Sequence, residues 1–262
     1  MKFPFYTSKI KSVSSENYRV NTIVIDSNLS SAKSGQFLMI WIPGVGERPM
    51  SIGNNSPLTI SVANVGLVSS KLCSLKTGDL ISYRGPFGKN FILPKGAKKI
   101  LVVGGGYGVV PMFFLSKEAK ESGVESVAVV GGRSEKDIIY RKQLSTVCKE
   151  VLLTTDDGSL GKKGNVMVEV IPLLQGGSID CVYCVGPERM MGAIAKAAKE
   201  NNVPSQISLE RYMKCGIGVC GSCDVNGRLA CIDGPIISGD DALKLSEFGK
   251  KHRDASGILK DY

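Results

Sequence analysis

Eight cysteines are spread over 262 residues, and four of them stand close enough together to share one task. Met213 to Asp233 reads M-K-C-G-I-G-V-C-G-S-C-D-V-N-G-R-L-A-C-I-D, with Cys215, Cys220 and Cys223 in C-x₄-C-x₂-C spacing and seven residues before Cys231. That is the plant-type [2Fe–2S] arrangement, whose fourth thiolate arrives from further along the chain. A loop wrapping such a cluster must turn its amides inward, and Gly216, Gly218 and Gly221 give the backbone that freedom. Four thiolates would also suit a tetrahedral zinc ion. Zinc ribbons usually present two C-x₂-C hooks well apart, so the crowding here favours the iron–sulfur cluster.

A second C-x₂-C, Cys181 and Cys184, lies in the apolar run D-C-V-Y-C-V-G. In a strand, positions three apart point to opposite faces, so these two read as small buried hydrophobes, as do Cys73 and Cys148. The one histidine, His252, stands in a polar stretch and reads as a solvated residue, which weakens any mechanism built on a histidine base.

Gly104 to Pro111 reads G-G-G-Y-G-V-V-P between an apolar strand and a helix. Glycines in that place let the backbone approach a pyrophosphate at a helix N-terminus. Glu47–Ile52, E-R-P-M-S-I, ends a strand with an arginine fork able to grip a diphosphate and a serine able to hydrogen-bond a flavin ring.

The elements that must hold these groups come in two rhythms. Tyr18–Asp26 (with Val20, Thr22, Val24 and Asp26 on one face, the alternation blurred toward its end), Phe37–Ile42, Leu58–Val62 and Leu80–Tyr83 read as short strands separated by turns, which suggests a small barrel. One helical turn is expected at Ser69–Leu75. Beyond Pro94 the pattern alternates: strands Lys99–Val103, Ser126–Val130, Glu150–Thr154 and Cys181–Val185, and helices Val109–Ala119, Glu135–Val147, Val166–Leu174 and Glu188–Glu200. Strands alternating with helices mean a parallel sheet covered on both faces. The expected division is a barrel domain over 1–96, an α/β domain over 97–206, a cluster segment over 207–240 and a polar tail over 241–262, the tail solvated or at a subunit interface.

The net charge is +9, but Lys and Arg are scattered and no basic stripe interleaves with aromatics, so nucleic-acid binding is not expected. The apolar runs are too short to span a bilayer, and Met1–Ile10 has no apolar core of a signal peptide. The expectation is a soluble, cytoplasmic chain, where clustered cysteines point to metal or redox chemistry before disulfides.

Taken in order, R-P-x-S, R-G-P-F-G (Arg84–Gly88), G-G-G-x-G-x-x-P, D-D-G-S-x-G-x-K-G (Asp156–Gly164), G-P-x-x-M-M (Gly186–Met191) and C-G-x-G-x-C-G-x-C resemble the ferredoxin–NADP reductase superfamily. Within it the chain is similar to the electron-transfer subunits of the dihydroorotate dehydrogenase B type. The resemblance implies a six-stranded antiparallel flavin-binding barrel, a doubly wound nucleotide-binding domain and a [2Fe–2S] segment held by Cys215, Cys220, Cys223 and Cys231. FAD would lie against the barrel at Arg48, Pro49, Met50, Ser51, Ser61, Val62, Ala63, Gly66, Val68 and Ser69. NAD would dock at Gly104, Gly106, Gly108, Pro111, Asp156, Asp157, Gly186 and Pro187, the two aspartates taking ribose hydroxyls and repelling a 2′-phosphate.

The implied partner is an FMN-containing dihydroorotate dehydrogenase catalytic subunit, since the chain has no (β/α)₈ pattern of its own. Two alternatives stay open: a subunit of a soluble hydrogenase or sulfite reductase complex, and a redox-responsive regulatory subunit without nicotinamide turnover. The chain departs from many relatives at Met50, where a tyrosine is common, at Gly66–Ser69 (G-L-V-S for G-x-G-T) and at Tyr107.

Overall fold

Short β-branched and aliphatic runs pair into a closed antiparallel barrel in the computed structural model, which describes residues 4–262. Its strands are β1 (Tyr6–Ser15), β2 (Val20–Ile25), β3 (Phe37–Ile42), β4 (Gly46–Asn55), β5 (Leu58–Ala63) and, after the short helix α1 (Leu67–Cys73), β6 (Leu80–Phe87). They close in the order β1-β2-β5-β4-β3-β6. The interior is aliphatic: Ile23, Ile25, Leu38, Ile40, Ile52, Ile60 and Val62 pack together.

The α/β part begins with β7 (Lys99–Gly105), a 3₁₀ turn at Gly106–Gly108, and α2 (Val109–Glu121). It continues through β8 (Glu125–Gly132), α3 (Arg141–Val147), β9 (Glu150–Thr155), the two-residue β10 (Lys162–Lys163), α4 (Met167–Gln175), β11 (Cys181–Val185), α5 (Glu188–Glu200) and β12 (Ser205–Ser208). The chain then leaves the sheet, forms the small hairpin β13 (Asp224–Val225) and β14 (Arg228–Leu229), and returns as β15 (Ile236–Ser238). The seven strands run β10-β9-β8-β7-β11-β12-β15, parallel except for β15. Residues of α4 and α5 pack on one face of the sheet and residues of α2 and α3 on the other. Helix α2 serves both domains: Met112 and Leu115 face the sheet while Phe114 enters the barrel cluster. Burying Phe114 contributes about 2 kcal/mol to the seam. No helix among the described residues is long and apolar enough to cross a membrane.

Three local expectations are corrected. The face of β2 that carries Val20, Thr22, Val24 and Asp26 is buried only in its first half, because Val24 is half-buried and Asp26 exposed. Val20 and Thr22 meet the α/β domain, whereas Ile23 and Ile25 turn into the barrel, so the strand is covered on both sides. The helix expected over Glu135–Val147 is broken. Residues Glu135–Asp137 form a 3₁₀ turn, Tyr140 adopts φ 61°, and α3 starts only at Arg141. Asp137 accepts hydrogen bonds from Arg133 and Tyr18, and the Tyr140 hydroxyl lies 2.9 Å from that of Ser61, so contacts with the barrel outweigh helical propensity.

The polar tail is also folded. After α6 (Gly239–Lys244) it forms the hairpin β16 (Lys251–Arg253) and β17 (Leu259–Asp261), with Phe248 buried. His252 is therefore half-buried rather than a fully solvated side chain: its ring lies tilted by 33° against that of Tyr262, with centroids 4.6 Å apart.

Candidate functional site

The cluster loop is local geometry first. Gly216 sits at φ +71°, and a Cβ there would come within 2.7 Å of Met39 Cγ, so the loop lies directly on barrel strand β3. Any side chain at this position would be strained in its backbone and crowded against the barrel. Cys223 and Cys231 are buried, Cys215 is half-buried and Cys220 exposed. The sulfurs of Cys223 and Cys231 are 3.4 Å apart, and the Gly218 N–H donates to Cys231 Sγ at 3.2 Å. The Cys220 N–H donates to Cys215 Sγ at 3.5 Å.

Hydrogen bonding to Cys231 pulls the Cys223 thiol down to about 7 and pushes that of Cys231 up. Burial works against ionisation of Cys220, but the hydroxyl and backbone of Ser222 bring it to about 6. Hydrogen bonds thus draw Cys220 and Cys223 toward the thiolate form that holds a metal, while Cys231 keeps its proton toward Cys223.

No group of three or more His, Cys, Asp or Glu among the described residues is arranged to hold a metal ion. The four cysteines share one loop: the Cys223 and Cys231 sulfurs meet, and Cys215 Sγ accepts the Cys220 backbone N–H. That donor set fits two sulfide-bridged irons, each taking two thiolates, better than one tetrahedral zinc.

Beside the loop, a cavity of about 590 Å³ opens between the barrel and the parallel sheet. Of the sequence-predicted residues it is lined by Pro49, Ser51, Gly106, Gly108, Asp156, Gly186 and Pro187. The sheet explains their meeting. Strands β7 and β11 are neighbours, so the turn after β7 and the Gly186-Pro187 step after β11 emerge side by side. Their approach is tight, since a Cβ on Gly108 would overlap the Val185 carbonyl. Gly104 and Pro111 flank this turn without lining the cavity, and Asp157 turns to Ser159, whose hydrogen bonds hold its carboxyl below the usual range. A glycine turn at the start of the 13-residue α2, open to a cavity, fits the diphosphate of a dinucleotide.

The remaining predicted residues lie on the barrel and do not line the cavity. In the β3–β4 register Ile40 faces Arg48 and Leu38 faces Met50. Arg48 donates to the Tyr212 hydroxyl at 2.5 Å and sits 4.9 Å from that ring's centroid. Val62 and Val68 belong to the barrel core, and Ala63 to the core beside it. The Ser61 hydroxyl bonds Thr22 and Tyr140 in the seam, and that of Ser69 accepts the Val65 and Gly66 N–H groups at the start of α1. Beside Gly66, Val65 and Leu67 are 68 % and 76 % exposed. That apolar surface suits a flat amphipathic group lying on the barrel.

Sequence reading missed several groups at this place. Glu210, Arg211 and Met213 line the cavity from the segment just before the first cluster cysteine, and Arg19 and Arg133 line it from the seam. Burial raises the Glu210 carboxyl, with the nearby Glu188 adding to it. Arg211 forms a fully buried ion pair with Glu188 of α5. The E-R-Y triplet ahead of the cysteines and the Arg133/Asp137 pair four apart were the available signals.

Comparison with known proteins agrees with this geometry. Residues 210–242 match the family described as the iron-sulfur cluster binding domain of dihydroorotate dehydrogenase B. The chain is 40 % identical over 251 residues, 95 % of each chain, to a probable dihydroorotate dehydrogenase B (NAD(+)), electron transfer subunit, from Methanocaldococcus jannaschii. A protein of the same description from Pyrococcus furiosus is 40 % identical over 229 residues, 86 % of this chain and 87 % of the other. Among solved structures, one reported for an NADH-dependent reduced ferredoxin-NADP oxidoreductase, in a study of flavin-based electron bifurcation, superposes with TM-score 0.81. It is 29 % identical and covers 89 % of this chain and 88 % of its own. The ferredoxin reductase of carbazole 1,9a-dioxygenase shares the fold, with TM-score 0.65 at 20 % identity over 78 % of this chain and 67 % of that one.

Proposed function

The chain belongs to the family of dihydroorotate dehydrogenase B electron transfer subunits, and from that premise we propose that it carries electrons from a dihydroorotate-oxidising, FMN-containing partner subunit through [2Fe–2S] and FAD to NAD⁺. What supports this most is the four-cysteine loop pressed on barrel strand β3 beside a cavity shared by the barrel and the glycine-rich turn. Bound there, the flavin would exchange two electrons with nicotinamide and single electrons with the cluster.

The residues' own tasks follow from their chemistry. Cys215, Cys220, Cys223 and Cys231 supply thiolates to the irons. Arg48 exchanges its hydrogen bond to Tyr212 for the FAD diphosphate, and Ser51 offers a hydroxyl to the flavin ring. Pro49 and Met50 with Ser61–Ala63 shape the barrel wall, and Gly66, Val68 and Ser69 shape the end of α1. The turn with Gly104, Gly106, Gly108 and Pro111 admits the nicotinamide dinucleotide, Gly186 and Pro187 flank it, and Asp156 with Asp157 accepts its ribose hydroxyls. We divide the chain accordingly into 1–96 for FAD, 97–206 for NAD, 207–240 for the cluster and 241–262 as a tail, and place it in the cytoplasm with its partner.

The test is an absorption spectrum of the anaerobically purified protein, with iron, sulfide and flavin quantified, before and after NADH. Flavin bands and a sulfide-to-iron shoulder, both bleached by NADH, are expected. Bleaching by dithionite alone, or a colourless protein, would overturn the reading. A second reading, the same electron-transfer unit within a different complex, is favoured by the likeness to the NADH-dependent reduced ferredoxin-NADP oxidoreductase. Copurification of the partner separates the two.

A further inference from the structure

Arg84 has no part in the tasks assigned above, yet it is one of the few buried charges of the barrel, 8 % exposed. Burying a guanidinium is costly unless its charge and its donors are matched. The match comes from Glu47, whose Oε1 and Oε2 accept from Arg84 Nε at 2.8 Å and Nη2 at 2.7 Å. The rings of Phe5 and Phe87 lie 5.3 and 5.5 Å from the guanidinium carbon. Strand β3 runs between the two partners, pairing Trp41 with Glu47 on one side and Met39 with Arg84 on the other. Arg84 Nη2 then makes one more bond, to the backbone carbonyl of Cys215 at 3.1 Å. The guanidinium is thus held rigidly from behind, and its free donor meets the first cluster cysteine.

We propose that Arg84 and Glu47 are positioning residues that seat the cluster loop on the barrel and tune the reduction potential of its [2Fe–2S] group. The inference rests on the cluster reading given under Proposed function. Adding one electron to such a cluster adds one negative charge, with no proton needed to balance it. A fixed cation at a ligand's carbonyl stabilises that added charge, and the carboxylate behind the cation offsets part of the effect. The ion pair is therefore directional: its positive member touches the loop.

The opposite charges of the two residues make the test a matter of sign. Iron, sulfide and flavin are quantified in the wild-type protein and in Arg84→Met, Arg84→Lys and Glu47→Gln. The cluster's midpoint potential is then measured by a titration followed by electron paramagnetic resonance. Arg84→Met shifts the potential negative and Glu47→Gln shifts it positive, with bound flavin at the wild-type ratio in both. Arg84→Lys keeps the charge but loses the fork, and gives a smaller negative shift. A merely structural bracket would move all three variants the same way, or none, and either result overturns the proposal. Should Arg84→Met lose its cluster, the opposite signs of Arg84→Lys and Glu47→Gln still decide. A wild-type protein with flavin but no iron or sulfide would instead sink the cluster reading itself, and the proposal with it.

Discussion

Cys181 and Cys184 share their C-x₂-C spacing with Cys220 and Cys223, and almost nothing else. On strand β11 the extended backbone sends the two thiols to opposite faces. Cys184 packs in the core with α4 and α5, and Cys181 in the core with α2 and α3. Burial pushes both thiols up, which keeps them neutral. In the cluster loop the glycines let the chain double back, so that Cys223 meets Cys231 and both Cys220 and Cys223 are drawn down. Identical spacing therefore yields packing in one place and, in the function proposed above, ligands in the other. The backbone conformation between the cysteines decides which.

The comparison can be broken most severely at the ligands. Cys231→Ser should abolish the cluster, leaving iron and sulfide near zero with flavin still bound, whereas Cys184→Ser should keep wild-type iron. Equal loss in both would erase the distinction. A smaller effect is expected from Gly216→Ala, which forces a side chain into a left-handed conformation against Met39. About 1–3 kcal/mol of strain, read as a lower urea midpoint and partial iron loss, is the expected outcome. Cys184→Ser should itself cost about 1–2 kcal/mol in urea unfolding, because it buries a hydroxyl among aliphatic side chains, with the visible spectrum unchanged.

The smallest effect contrasts an apolar region with a polar one. Burial opposes ionisation of Asp137, but hydrogen bonds from Arg133 and Tyr18 hold its carboxyl below the ordinary 3.8. Its contribution to the seam is then fully present above that ordinary value and is lost as pH falls through the lower folded value. Asp137→Asn should flatten the fall in stability as pH drops below the ordinary 3.8, while leaving the neutral spectrum alone.

Legibility followed the range of the interactions. The alternation of β7, β8, β9 and β11 with α2, α4 and α5 was readable because each element carries its own periodicity, whereas the two-residue β10 and the four-residue β12 were too short to show one. Strand β1 was not, since only Ile10 of its ten residues is fully buried and the rest are largely Ser, Thr and Lys. The break before α3 was invisible because Tyr140 and Asp137 are held by residues of the barrel more than a hundred positions away. Polar composition made the tail look solvated, but its Tyr262 hydroxyl accepts from Arg211 and the Gly249 N–H donates to Glu188. Ser61 and Arg48 stood in the right strands, yet their partners, Tyr140 and Tyr212, come from other parts of the chain.

The cysteine cluster, the glycine turns and most of the alternating elements can be read from local sequence, because each depends on neighbours within a few residues. What surrounds them comes from the fold as a whole. Arg84 reaches a carboxylate 37 residues before it and a carbonyl 131 residues after it, and Arg48 finds a hydroxyl 164 residues away. Such meetings depend on strand register and on which faces are buried together, and these are fixed by the closure of the barrel and the packing of the sheet as a whole.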